Sequence, residues 1–138
     1  MEAANRGALE AGAPSIGFNI ELPQQQAANH FTSPGLSFTF HYFAIRKMHL
    51  AIRAAALIAF PGGFGTFDEL FEILTLIQTG KSRRVPVGCI DRAIWQRAAN
   101  IGFLSDAGLL APGEPELVRF ADTAEDAWNL IESEICSN

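Results

Sequence analysis

The stretch AFPGGFGTFDEL, residues 59–70, sets three glycines and a proline between an apolar run and a charged run with helical spacing. An apolar run that stops at Pro-Gly-Gly and restarts as an amphipathic segment reads as strand, tight turn, helix. Leu57 to Phe60 is then the strand, and Thr66 to Gln78, ended by Gly80, is the helix. The same rhythm extends in both directions. Upstream, residues 2–11 predict a short helix closed by Gly12, Ser15 to Ile20 a buried strand, Ser37 to Phe43 a second strand and Ala44 to Ala55 a helix. Residues 21–36, with two prolines and a Gln run, have loop composition. Downstream come a strand at Val85 to Ile90, a helix around Ile94 to Ile101, a loop carrying Pro112, Gly113 and Pro115, a strand at Leu117 to Ala121 and a closing helix from Thr123 to Ile135. Strands separated by helices imply an α/β chain, its parallel sheet covered by helices on both faces.

At 138 residues the chain is long enough for one domain with a sizeable core and short for two, so residues 1–138 are expected to form a single domain. Its 49% hydrophobic and 18% charged content suggests a surface partly covered by another subunit. A net charge of −5 argues against a nucleic-acid polymer or an anionic membrane as partner. Cys89 and Cys136 have neither metal-site nor disulfide-framework spacing, and His30, His41 and His49 are scattered, so no metal is expected. The longest apolar run, Ala54 to Phe60, is far short of a membrane span, and no signal-like segment opens the chain. A soluble, cytoplasmic protein is the expectation.

In parallel sheets ligands bind beyond the carboxyl ends of the strands, which is where the glycine loop falls. Gly62, Gly63 and Gly65 allow positive φ and a close ligand approach, and the next helix offers unpartnered N–H groups and the positive end of its dipole. A phosphate suits that position; a tight turn that needs glycine for steric reasons alone is the other reading. Thr66 and Glu69 match a capping box, yet Glu69 is equally placed to stabilise a sugar cation or activate water, with Glu72 on roughly the same face. Arg46 and Lys47 read either as a solvated helix start or, because they follow a strand directly, as residues at the sheet edge where the glycine loop lies. Trp95 and Trp128 each fall on an apolar helical face, where core packing is expected.

Four segments carry a resemblance: Met1 to Ala8 (MEAANRGA), Asn19 to Pro23 (NIELP), the Arg46-Lys47 pair, and above all Pro61 to Glu69 (PGGFGTFDE). Together they resemble the LOG, or "lonely guy", family of cytokinin-activating phosphoribohydrolases, whose members also carry the label of possible lysine decarboxylases. The resemblance covers most of the chain up to about Ile90. It implies a Rossmann-like fold, a homodimer or larger assembly, no metal and no cofactor. The implied reaction is hydrolysis of the N-glycosidic bond of nucleoside 5'-monophosphates to a free base and ribose 5-phosphate. Carried onto this chain, Gly62, Gly63, Phe64, Gly65 and Thr66 would hold the 5'-phosphate and Arg46 and Glu69 would be the catalytic pair. Lys47, Asp68 and Thr75 would bind substrate. The block LTLIQTGK, residues 74–81, resembles the bacterial branch, which implies a base range broader than cytokinins.

Two departures accompany the resemblance. The family commonly carries Glu in the loop after the Asn-Ile-x-Leu-Pro segment, where this chain has Gln25. Its members also place a first strand and a glycine-rich loop before the Met-Glu-Ala-Ala block, so the amino-terminal βα units are expected to be missing here. The rival reading is a non-catalytic carrier that resembles molybdenum-cofactor-binding proteins and uses a similar loop to hold a phosphate. The Arg-Lys pair favours the enzyme.

Overall fold

The computed structural model describes residues 2–22 and 29–135; Met1, the Gln25 position and Cys136 lie outside them. Contacts divide the chain into two compact units, Met1–Arg53 and Ala54–Asn138.

In the first unit, α1 (Glu2–Glu10) leads to β1 (Gly17–Ile20), and β2 (Ser37–Phe40) to α2 (Phe43–Ala51). Strands β1 and β2 pair in parallel with Gly17 opposite Ser37 and Ile20 opposite Phe40. Gly12 at φ 71° ends α1, the left-handed position only glycine takes cheaply. A polar network ties this unit together. The Asn5 amide donates to Ser15 Oγ at 2.8 Å and accepts from Asn29 at 2.8 Å, while Ser15 N–H donates to Ser33 Oγ at 2.9 Å. Ser15 is buried, so these bonds satisfy a hydroxyl that would otherwise be costly to desolvate. Phe18 packs against Phe38 and Phe40, with ring centroids 5.7 and 5.6 Å apart, and Phe40 against His49 at 5.3 Å.

The second unit runs β3 (Leu57–Ala59), α3 (Phe64–Gln78), β4 (Val87–Ile90), α4 (Arg92–Ala98), α5 (Ile101–Asp106), β5 (Val118–Ala121) and α6 (Ala124–Ile135). Its strands form one parallel sheet in the order β3-β4-β5, Leu57 facing Val87 and Val87 facing Val118. Parallel strands joined through helices make this a Rossmann-like α/β chain, with parallel sheets flanked by helices. The apolar core described lies in this unit: Ala59, Leu70, Ile73, Val85, Val87, Cys89, Trp95, Val118, Ala121 and Ala127. Helix α3 closes in a Schellman arrangement, with Gly80 at φ 66°, Lys81 N–H bonded to Leu76 O and Gly80 N–H to Ile77 O.

Three expectations are corrected here. The helix expected over Ile94 to Ile101 is two helices, because Asn100 caps a new start by accepting from Phe103 N–H at 2.9 Å. Trp128 is not core but 59% exposed, whereas Trp95 is buried as expected. The Thr-x-x-acid cap also belongs elsewhere. Thr123 and Asp126 form it at α6, Asp126 N–H donating to Thr123 Oγ1 at 3.1 Å and the hydroxyl to Asp126 Oδ2 at 2.7 Å.

Cys89 on the central strand β4 is fully buried, and burial pushes its thiol up to about 12 from an ordinary 9.0. The folded state holds the proton that the unfolded chain releases near pH 9. Unfolding is therefore expected to become easier as pH rises from 9 toward 12, by at most ~1.4 kcal/mol per pH unit from this group, with no contribution below that window. In a Cys136→Ser variant, Cys89 should resist a thiol reagent in the native state and react fully in denaturant. Rapid native labelling would contradict this.

Candidate functional site

In the second unit the glycine loop follows β3, and α3 starts at Phe64 with Gly63 as its N-cap. Its N-cap is a glycine, which has no side chain with which to cap the helix. Its first backbone bonds run from Thr66 N–H (3.0 Å) and Phe67 N–H (3.2 Å) to Gly63 O. Among the described residues the N–H groups of Phe64 and Gly65 have no backbone partner. The first turn also contains no acidic residue, so the dipole's positive end is left uncompensated there.

Two readings of this turn change. The Thr66–Glu69 capping box is not the arrangement present, because α3 begins two residues earlier and Thr66 already lies inside its first turn. The loop glycines do not adopt positive φ, which among the described residues belongs to Asp91 and to Gly12, Gly35, Gly80, Gly108 and Gly113. What they supply is space. A Cβ on Gly62 would sit 2.1 Å from Thr66 Oγ1 and 2.9 Å from Thr66 Cβ, whereas one on Gly63 or Gly65 would meet nothing within 4 Å. Gly62 is thus required by packing inside the turn, and Gly63 and Gly65 leave its outer surface bare.

That division makes a prediction. Gly62→Ala should destabilise the protein by ~1–3 kcal/mol, as overpacking does. If the loop N–H groups hold an anion, Gly63→Ala should melt within a few degrees of the parent yet bind inorganic phosphate at least tenfold more weakly, since its methyl would stand in the open space beside them. Thermal melts and calorimetry check both. Unchanged phosphate affinity in Gly63→Ala would remove the anion from this surface.

Helical spacing sorts the rest of α3. Leu70 and Ile73 are buried on one side; Asp68, Glu72 and Thr75, at four- and three-residue spacings, share another, and Glu69, three residues before Glu72, lies on the flank between Glu72 and Ile73. Glu69 is half-buried, more than one turn below the loop; Asp68 is exposed. Thr75 is not beside the loop. It lies roughly 16 Å along the axis from Phe64 at the usual helical rise, and its hydroxyl donates to Phe71 O at 2.7 Å.

In the first unit Arg46 and Lys47 lie one turn into α2 and are half-buried, not on a fully solvated helix start. An Arg46 Nη1–H donates to Phe18 O at 3.5 Å, and its guanidinium lies 6.0 Å from the Phe43 ring. The aromatic strands and α2 therefore hold the arginine head close to β1.

The second unit also has an open cleft of about 480 Å³ between the end of β5 and α6, and none of the expected site residues lines it. Its Arg92 is occupied internally: the backbone N–H donates to Asp122 Oδ1 at 3.0 Å, an Nη2–H donates to Phe120 O at 3.5 Å, and the guanidinium lies 5.4 Å from the Phe120 ring. Sequence reading missed it. No local pattern marks it, because its lining comes from the end of β5, the start of α4 and α6. Among the described residues no group of three or more His, Cys, Asp or Glu could hold a metal ion. Nor is any described helix long and apolar enough to cross a membrane.

Comparison with known proteins now bears on the loop. The chain is 34% identical over 102 residues to the cytokinin riboside 5'-monophosphate phosphoribohydrolase LOG7 of Arabidopsis thaliana, covering 65% of this chain and 46% of the relative. It is 30% identical over 115 residues to LOG2 of the same plant, a protein of the same name, covering 73% and 54%. Over a shorter stretch of 46 residues it is 46% identical to the enzyme LOG of Oryza sativa subsp. japonica, covering 33% and 19%. The chain spans about half the length of the first two of these relatives. Residues 1–131 match the family described as "Possible lysine decarboxylase". With that match across nearly its whole length, and with relatives named as LOG phosphoribohydrolases, the chain belongs to the possible-lysine-decarboxylase, or LOG, family.

Proposed function

We propose that the protein hydrolyses the N-glycosidic bond of nucleoside 5'-monophosphates, releasing a free base and ribose 5-phosphate. The observation that carries the reading is the bare start of α3, with glycine as its N-cap, at the glycine loop, in a family whose relatives are named for acting on a riboside 5'-monophosphate.

The chemistry follows from the residues. The 5'-phosphate takes the N–H groups of Gly63, Phe64 and Gly65 and the end of the α3 dipole, while Gly62 and Thr66 shape the turn behind them. Breaking the C1'–N bond sends its electron pair to the base and leaves positive charge on the sugar. Glu69 stabilises that charge and orients the water whose oxygen bonds to C1'; the proton this water gives up balances the one the departing base takes on its freed nitrogen. Arg46 aligns the nucleotide as the second member of the catalytic pair. Lys47, Asp68 and Thr75 complete the assignment as substrate contacts, Thr75 with a part of the substrate remote from the phosphate. The reaction calls on no metal or cofactor. A cytoplasmic nucleotide pool supplies its substrates, and the cytokinin riboside monophosphates in the relatives' names are one class among these.

Base release from adenosine monophosphate, followed by chromatography, tests the proposal. Nucleotide binding with no base released from any purine or pyrimidine monophosphate would favour the carrier reading.

The assembly belongs to the same proposal. Tyr42, Phe43, Ile45, Met48 and Ile52 are exposed in or beside α2, more large apolar side chains than one short helix usually leaves to water. A homodimer or larger assembly that covers α2 and α3 is expected, and light scattering at micromolar concentration should give at least twice the mass of one chain. A single-chain mass would contradict it.

A further inference from the structure

Phe64 is 97% exposed, the most exposed of the described large apolar side chains, and it stands at the first position of α3 between bare Gly63 and Gly65. It is also the outer end of an aromatic series. Phe64, Phe67 and Phe71 are spaced three and four residues apart and so share a side of α3. Phe67 lies 5.0 Å from the buried Trp95 ring and 6.2 Å from Phe71 in a stacked pair. The series runs from the core outward and ends, at the loop, on a phenyl whose faces meet no described aromatic ring.

We infer that Phe64 is the base-contacting residue of the site, its ring stacking on the nucleobase of a nucleotide whose phosphate is held at the loop. The inference rests on the phosphate placement proposed above. A phenyl at the first helical position projects beside the N–H groups that would hold the phosphate, and a nucleotide's flat base is the part of that ligand able to use an aromatic face. Stacking reads the π-face and not the hydrogen-bonding edge. Phe64 therefore favours a ligand that carries a flat base over one that lacks it, without selecting among the base's substituents. An apolar face of a second chain is the other candidate occupant, and the experiment separates the two.

Calorimetry compares adenosine monophosphate with ribose 5-phosphate, which shares the phosphate and sugar and lacks the base. A Glu69→Gln background slows turnover enough for binding to be read. Phe64→Ala should weaken the nucleotide about tenfold or more, leave ribose 5-phosphate unchanged and leave the light-scattering mass unchanged. Phe64→Trp should retain nucleotide affinity and show fluorescence quenching by adenosine monophosphate and none by ribose 5-phosphate. Equal losses for both ligands would make Phe64 a prop of the loop and overturn the inference. So would no loss for either, or a drop in mass, which would assign the ring to a subunit contact. If the parent binds neither ligand, the phosphate placement itself fails and takes this inference with it; if it binds both and Phe64→Ala matches it, only this inference fails.

Discussion

Glu69→Gln is expected to lower the turnover of adenosine monophosphate by ~10²-fold or more while leaving nucleotide affinity within a few fold. Gln keeps the shape and removes the charge. The loss of a preorganised group that faces charge developing in the transition state costs on that scale, whereas in the proposed site ground-state binding would be carried by the phosphate at the loop. A capping role for Glu69 would have made Gln a near-neutral replacement, but α3 starts at Phe64 and Thr66 is not its N-cap. Glu69 sits in the helix body, half-buried, three residues from Glu72 and on the flank of α3 between Glu72 and the buried Ile73. Steady-state base release and calorimetry on the same preparations decide it. A variant that keeps most of its turnover would remove Glu69 from the catalytic pair.

The second large effect falls on stability. Trp95→Ala should cost ~3–5 kcal/mol, the range for removing a large aromatic side chain from a core, because Trp95 is 2% exposed and packs on Phe67. Trp128→Ala should cost under ~1 kcal/mol at its exposed position. The indole N–H of Trp95 is buried and has no hydrogen-bond partner among the described residues. Trp95→Phe should therefore recover much of the loss, since it leaves no unsatisfied donor behind. Denaturant melts of the three variants check the ranking; equal losses at Trp95 and Trp128 would contradict it.

The two tryptophans also show what could be read from the residues and what could not. Parallel strands, their order along the chain and nearly every element were legible, because apolar runs, helical spacing and glycine stops are local signals. Gly12 and Gly80 ended helices as read. Which side of α6 turns inward is set by what packs on it. Ala127 is buried and Trp128, one residue on, is exposed, a choice that Trp128's own neighbours do not encode. The start of α3 was misread for a different reason. Thr66 and Glu69 have the spacing of a box, but Phe64 and Gly65 lie in a first turn, where poor helix formers are tolerated because their N–H groups need no helical partner. Asn100 carried a legible cap signal that was passed over.

The candidate site was legible as a motif more than as geometry. Pro61 to Glu69 pointed to the loop, but positive φ was the wrong reason for its glycines: Gly62 answers to Thr66, and Gly63 and Gly65 leave a surface open. The hydrogen bond that holds Arg46 to Phe18 O depends on β1 and α2 meeting, which no local pattern announces.

The most direct measurement of the central claim is a product balance. The protein is incubated with adenosine monophosphate, and adenine and ribose 5-phosphate are quantified together by chromatography. The account predicts the two products in equal amounts, lost together in Glu69→Gln; nucleotide bound in stoichiometric amount with neither product formed would contradict it.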